Sequence, residues 1–288
     1  MSKLRKALQK AKDAGGRTET SQPVEHKVVA RPFQKTAKTI AHPASKSDEI
    51  KITYSKTKVQ KVDPETLRKN RILSLFKANK TTDQVEGLRT QLLTKLNEIN
   101  GNSILVTSVH PGEGKTFTSI NLGVSIAQQL DRTVLIIDAD LRDPWKNHYD
   151  FSLDFWGINP EKGLSDYLME KANIEELLVN PGIDKLTILP GGRPVPNSAE
   201  LLASKRMEQF VIDVKQRYGA NRICIFDCPA ILRYTDPLVF AHLIDGVLLV
   251  VESERTTPED VKKAIGLLKD CKIFGIVFNK SKDAFEDE

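Results

Sequence analysis

The sequence predicts an α/β domain, a mainly parallel sheet covered by helices on both faces. Three observations carry that expectation. From about residue 81 onward, short apolar runs alternate with stretches of helical periodicity, the pattern of repeated strand–helix–strand units. Two of those runs, Val134-Leu-Ile-Ile137 and Val247-Leu-Leu-Val-Val251, are apolar at every position, as strands buried on both sides are. A third run, 103–108, feeds a turn containing Gly112 and Gly114 that ends in Lys115-Thr116 at the mouth of a helical pattern.

In chain order, a helical pattern over about 83–98 precedes the strand at 103–108. The helix expected over 115–130 puts Phe117, Ile120, Val124 and Ala127 on one face. Strand-like runs follow at 133–138, 185–189, 222–227, 246–251 and 273–278. Helical patterns separate them at about 163–170, 204–217, 236–243 and 257–269. In such a sheet, ligands sit beyond the carboxyl ends of the strands.

The turn at 108–116 has the chemistry of a phosphate site. Backbone N–H groups of a glycine-containing loop and the start of a helix together form an anion cradle. Lys115 adds a charge for the β- and γ-phosphates, and the Thr116 hydroxyl is suited to ligate Mg²⁺. The cradle is expected to run through Pro111, Gly112, Glu113, Gly114, Lys115, Thr116 and Phe117. The strict spacing of this motif asks for glycine at 109, where this chain has Val109. The strand–loop–helix context is intact, so the domain is expected to be of the P-loop NTPase kind.

Two further strands end in carboxylates. The run at 134–137 leads into Asp138-Ala139-Asp140-Leu141-Arg142, and the run at 222–226 leads into Asp227-Cys228-Pro229. An aspartate at the end of a buried strand is well placed to face a bound nucleotide. Asp227 has the position of a Walker B residue, held to Mg²⁺ directly or through water. Asp138 and Asp140 are two apart where the chain turns, so at least one should reach the phosphates.

Charge divides the chain. Residues 1–80 carry 20 Lys+Arg against 7 Asp+Glu, net +13, whereas the remainder carries 23 against 31, net −8. Residues 15–80 are read as a mostly disordered arm, too poor in apolar residues to offset the entropy of ordering. A short strand at 50–54 is the exception considered. Residues 1–14 are expected to form a short basic amphipathic helix, with Leu4, Ala7, Leu8 and Ala11 along one stripe. Residues 1–12 could therefore touch an anionic membrane surface or a partner, or stay solvated. The folded domain is placed at 81–288. No run is long enough to span a bilayer, and no signal-peptide core is present. Three cysteines, Cys224, Cys228 and Cys271, fit reduced thiols in a cytoplasmic protein. Dispersed charge with little aromatic interleaving gives no sign of specific nucleic-acid recognition.

Taken together, Pro111-Gly-Glu-Gly-Lys-Thr116, Asp138-x-Asp140-x-Arg142 and Asp227-x-Pro229 resemble the bacterial tyrosine kinase family of polysaccharide export. Glu86-x-x-Arg89, Gly163-Leu-Ser-Asp-Tyr-Leu168 and Pro196-Asn-Ser-Ala-Glu-Leu-Leu-Ala-Ser204 look like the same family. Residues 1–11 look like its free-standing members, encoded with exopolysaccharide/exosortase loci. The group is related to ParA/MinD-like ATPases. The resemblance implies an ATP- and Mg²⁺-dependent phosphotransferase of the protein-tyrosine kinase type. In it Lys115 holds phosphate, Thr116 ligates the metal, and Asp140 and Asp227 organise the metal and its waters. Asp138 becomes the candidate base for a tyrosine hydroxyl, and Asn279 a contact to adenine or simply a turn former. The implied partners are a membrane chain-length determinant (co-polymerase) and further copies of the chain in a homo-oligomer. The location implied is cytoplasmic, peripheral to the inner membrane through that partner.

Some positions depart from the pattern. The family's C-terminal tyrosine cluster is missing from 281–288; the five tyrosines are Tyr54, Tyr149, Tyr167, Tyr218 and Tyr234. Leu92 stands where a second interface arginine is common, and Ala230 where a second proline is. A ParA/MinD-like ATPase and a non-catalytic, ATP-dependent scaffold are the alternative expectations. The first fits less well, because His110 holds the position of that group's extra lysine.

Overall fold

The computed structural model describes residues 57–76, 80–142, 151–216 and 221–281. The expected helix at 1–14, the strand at 50–54 and the tail at 282–288 lie outside these residues.

Eight strands form one sheet. They are β1 (Lys58–Val59), β2 (Ser103–Ser108), β3 (Thr133–Asp138), β4 (Val179–Asn180), β5 (Leu186–Leu189), β6 (Arg222–Asp227), β7 (Gly246–Glu252) and β8 (Ile273–Asn279), in spatial order β1-β4-β5-β3-β6-β2-β7-β8. Neighbours run parallel except β4 and β5. β2, β3, β6 and the first six residues of β7 are buried throughout, with apolar residues filling the middle of each strand.

Alternation along each strand divides the core between the two faces. On one face Ile104, Val106, Val134, Ile136, Ile223, Ile225, Leu248 and Val250 pack against helices α1 (Pro64–Lys69), α2 (Lys80–Glu98) and α3 (Lys115–Ala127). On the other, Leu105, Leu135, Ile137, Phe226 and Leu249 meet α7 (Lys205–Gln216), α8 (Asp236–Phe240) and α9 (Pro258–Leu267). The short helices α4 (Leu164–Leu168), α5 (Ile174–Leu177) and α6 (Ser198–Leu202) complete that second layer. Mid-sheet position and length agree with the expected strands to within a residue or two.

The disordered arm needs correction at its C-terminal end. Residues 57–76 are a strap packed on the domain. β1 extends the sheet edge, with Gln60 N donating to Asn180 O at 2.8 Å and Val62 N to Pro181 O at 3.1 Å. Asp63 caps α1 through its carboxylate, 3.1 Å from Thr66 N. Leu67 and Ile72 are buried in the core. The strap then crosses the outer side of α3, where the buried Asn121 carboxamide accepts from Leu73 N (2.8 Å) and Ser74 N (3.1 Å) and donates to Arg71 O (3.0 Å). Gln128 Nε2 adds a 2.7 Å bond to Ser74 O. Apolar residues so thinly spaced show no periodicity; only tertiary partners on α3 and β4 order them.

Candidate functional site

The loop after β2 turns on two glycines in the left-handed region, Gly112 (φ 84°) and Gly114 (φ 93°), a conformation that costs glycine little. Gly114 is also sterically required. A Cβ there would lie 2.0 Å from Asn279 Nδ2, the group that donates to Glu113 O at 2.8 Å. The end of β8 thus clamps the loop. A second brace comes from the buried Glu113 carboxylate, which accepts from His110 N (2.8 Å), Glu252 N (3.3 Å) and the Thr256 hydroxyl. Sequence reasoning placed Glu113 in the phosphate cradle and read Asn279 as an adenine contact or a turn former; neither reading included these bracing bonds. Their bracing bonds join residues up to 166 apart in the chain, so no local pattern announced them.

α3 begins at the loop's last glycine, and its first turn carries the chemistry. Lys115 Nζ lies 3.4 Å from Asp140 Oδ2 and 3.3 Å from Thr116 Oγ1. The Thr116 hydroxyl donates to Asp227 Oδ2 at 2.7 Å, and Ser119 Oγ lies 3.0 Å from Asp227 Oδ1. Ser119, one turn along α3, is a site member that sequence reasoning missed; its spacing of three from Thr116 on a helix is the signal that could have found it.

Sheet register supplies the rest. β6 lies between β2 and β3, and Asp227 is the direct cross-strand partner of Asp138. Asp138 Oδ1 in turn accepts from Asp140 N at 3.1 Å. Asp138, Asp140 and Asp227 therefore gather around Lys115.

The charges in this cluster perturb one another strongly. Burial, then the neighbouring Asp140 and Asp227, pushes the Asp138 carboxyl well above the usual range. Burial also raises Asp227, opposed by Lys115 and the hydroxyls of Thr116 and Ser119. For Lys115, burial by itself favours the neutral amine, but Asp227, Asp140 and Asp138 outweigh it and raise the ammonium above its ordinary value. Perturbed carboxylates gathered around one cation mark functional sites more often than structural ones.

A second set of bonds supports this cluster from behind. Arg142, at the end of the Asp138-x-Asp140-x-Arg142 run, donates through Nε (3.2 Å) and Nη2 to the fully buried Asp236. Ser198 Oγ donates to the other Asp236 oxygen at 2.5 Å. The Arg142 guanidinium also lies over the Tyr234 ring, 4.1 Å from its centroid. Three separated sequence segments meet at Asp236.

The domain that carries this cluster is similar to known proteins. A family model described as "AAA domain" matches residues 101–272. The tyrosine-protein kinase YwqD of Bacillus subtilis is 34% identical over 203 residues, spanning 70% of this chain and 81% of that protein. The chain belongs to the bacterial tyrosine-protein kinase family. Among solved structures, the kinase domain of the Escherichia coli tyrosine kinase ETK superposes with a TM-score of 0.62 at 26% identity. The match covers 81% of this chain and 94% of that one. The septum site-determining protein MinD of Pyrococcus horikoshii, complexed with Mg-ADP, shares the fold. Its TM-score is 0.51 at 24% identity, over 63% of this chain and 72% of that one.

α2 packs on the domain through two residues singled out in the sequence. Arg89 folds back on its own chain, Nη1 donating to Ser125 Oγ (2.9 Å) and Ser125 O (3.1 Å), and Leu92 is buried in the core. The cysteines are free thiols; Cys224 and Cys228 are buried and Cys271 is half-buried. Burial, then Asp227, pushes the Cys228 thiol well above its ordinary value. Among the described residues no helix is long and apolar enough to cross a membrane.

Proposed function

We propose that this chain binds Mg²⁺·ATP and transfers the γ-phosphoryl group to a tyrosine hydroxyl. It would do so beside a membrane chain-length determinant (co-polymerase) subunit, in the polymerisation and export of an exopolysaccharide or capsule. The observation that carries this reading is Lys115 held among Asp138, Asp140 and Asp227 beside the Thr116–Asp227 hydrogen bond.

The residues divide the chemistry among them. Backbone N–H groups of 111–117 and the start of α3 cradle the phosphates. Lys115 is expected to exchange its contact with Asp140 for the β- and γ-phosphates. An excess of carboxylate over ammonium repels a bare triphosphate, and the donors gathered here are all oxygens, the set that suits Mg²⁺. Thr116 is the direct ligand in this proposal, with Asp227 and Asp140 holding the metal's waters. A Mg²⁺ ion held there would supply positive charge to offset what develops on the phosphates. Asp138, with its raised carboxyl, accepts the proton of the tyrosine hydroxyl as that oxygen attacks. Asn279, fixed against the loop, is left with the adenine side of the nucleotide.

Location follows the partner: cytoplasmic, at the inner membrane, with residues 1–12 as an added surface contact. A homo-oligomer assembled through α2 is less favoured here than in the family at large, because Arg89 is engaged by Ser125 and Leu92 is buried.

The test is incubation of the purified chain with γ-labelled ATP and Mg²⁺, with and without the co-polymerase. Labelled phosphotyrosine is expected. ATP hydrolysis with ATP-dependent dimerisation and no phosphotyrosine would favour a MinD-like ATPase. Binding with neither reaction would leave a scaffold.

A further inference from the structure

Asp138 stands between two backbone neighbours. On one side its Oδ1 is held by Asp140 N at 3.1 Å. On the other lies Gly191, in the turn after β5, where a Cβ would sit 2.7 Å from Asp138 Oδ2 and 3.2 Å from its Cγ. Both separations are shorter than ordinary van der Waals contact, so any side chain at 191 meets the carboxylate.

The turn itself is pinned. Leu164 N donates to Pro190 O (2.8 Å), Ser165 N to Gly191 O (2.9 Å) and Ser165 Oγ to Arg193 O (2.8 Å). Gly192 occupies the left-handed region at φ 82°. Gly163 packs so closely that a Cβ on it would lie 2.2 Å from Gly192 N, and its own N donates to Asp166 Oδ2 at 3.0 Å. Backbone bonded on this many sides yields less readily than a carboxylate that rotates about two single bonds. The segment at 163–168 has no group in the reaction, yet it anchors the turn beside the candidate base.

We infer that Gly191 is a positioning residue for phosphoryl transfer, its missing side chain leaving the Asp138 carboxylate its place at the acceptor side of the site. The inference rests on the reading of Asp138 as acceptor base. In that step the tyrosine O–H gives its proton to Asp138, and the oxygen bonds to the γ-phosphorus. The bond from that phosphorus to the β,γ-bridging oxygen breaks, and ADP leaves. A methyl group at 191 turns the carboxylate away from the incoming hydroxyl while the phosphate cradle stays as it is.

The experiment compares full-length wild type, Gly191→Ala, Asp138→Asn and the double variant, using Mg²⁺·ATP and a tyrosine-containing peptide polymer. Gly191→Ala is expected to lose at least about tenfold in kcat. KM for ATP and affinity for a fluorescent ATP analogue should stay within about twofold of wild type. The double variant should be no slower than Asp138→Asn, because both changes act through one carboxylate. An unchanged kcat overturns the inference, as does a multiplied loss in the double variant. A joint loss of folding or nucleotide affinity also overturns it, since the turn has then yielded instead of the carboxylate. If wild type makes no phosphotyrosine, the kinase reading fails separately. The crystal structure of Gly191→Ala then decides: a displaced Asp138 carboxylate upholds the positioning role, and an unmoved one refutes it.

Discussion

Thr116 Oγ1 donates a 2.7 Å hydrogen bond to Asp227 Oδ2 across 111 residues of sequence. The bond joins the first turn of α3 to the end of β6, and with it the phosphate loop to the Walker B position. Because a hydroxyl has one proton and two lone pairs, Thr116 can keep this bond and still offer its oxygen to a metal. Lys115 Nζ, 3.3 Å from the same oxygen, completes a chain of contacts that runs from ammonium to hydroxyl to carboxylate.

Asp236 predicts the largest single stability effect near the site. It is fully buried and its charge is balanced by Arg142. Arg142→Ala strands that charge, and removing one partner of a buried pair costs about 3–5 kcal/mol. Urea unfolding should show a loss of that size. A loss below about 1 kcal/mol, typical of exposed pairs, would mean that the pair is dispensable.

The strap at 57–76 predicts a sharp boundary in truncation. Removing residues 1–56 should leave the melting temperature within a degree or two of wild type, because none of the described packing is lost. Removing 1–76 should lower it markedly, and Ile72→Ala alone should cost about 2–5 kcal/mol as a buried large-to-small change. Equal melting temperatures for the two truncations would contradict the packing described.

Asp245 predicts how stability responds to acid. It accepts from Asn102 N (2.9 Å), Ser103 N (3.0 Å), Ser103 Oγ (2.7 Å) and Lys215 Nζ (2.8 Å). Burial works to raise its carboxyl, but the bonds from Lys215, Ser103 and Asn102 outweigh burial and lower it. With a folded value below the unfolded one of about 3.9, Asp245 contributes stability above that pH and loses it as pH falls through the folded value. The stability gap between wild type and Asp245→Asn should therefore be widest near pH 6 and narrow steadily below about pH 4. A gap that is constant or grows on acidification would refute the assignment.

The fold was legible because its central strands are buried on both faces, and apolar runs such as 134–137 suit that environment. The clustered carboxylates were legible for a related reason: Asp138 and Asp227 end such runs, where a charge has one useful direction to face. What stayed hidden depends on contacts distant in sequence. The strap is ordered by Asn121 and β4, the loop is braced by Glu113 and Asn279, and Gly191 matters only because Asp138 lies beside it. β4 and β1, two residues each, are too short to show a period at all.

The central claim is that Lys115, caged by three aspartates, is the phosphate ligand of a nucleotide site. Calorimetric titration of wild type and Lys115→Met with Mg²⁺·ATP tests it directly. Charge-assisted hydrogen bonds contribute about 1.5–3 kcal/mol each, so losing two should weaken binding by about 100-fold or more. The account predicts no saturable binding by the variant over the range that saturates wild type. An ATP affinity within about twofold of wild type would contradict it.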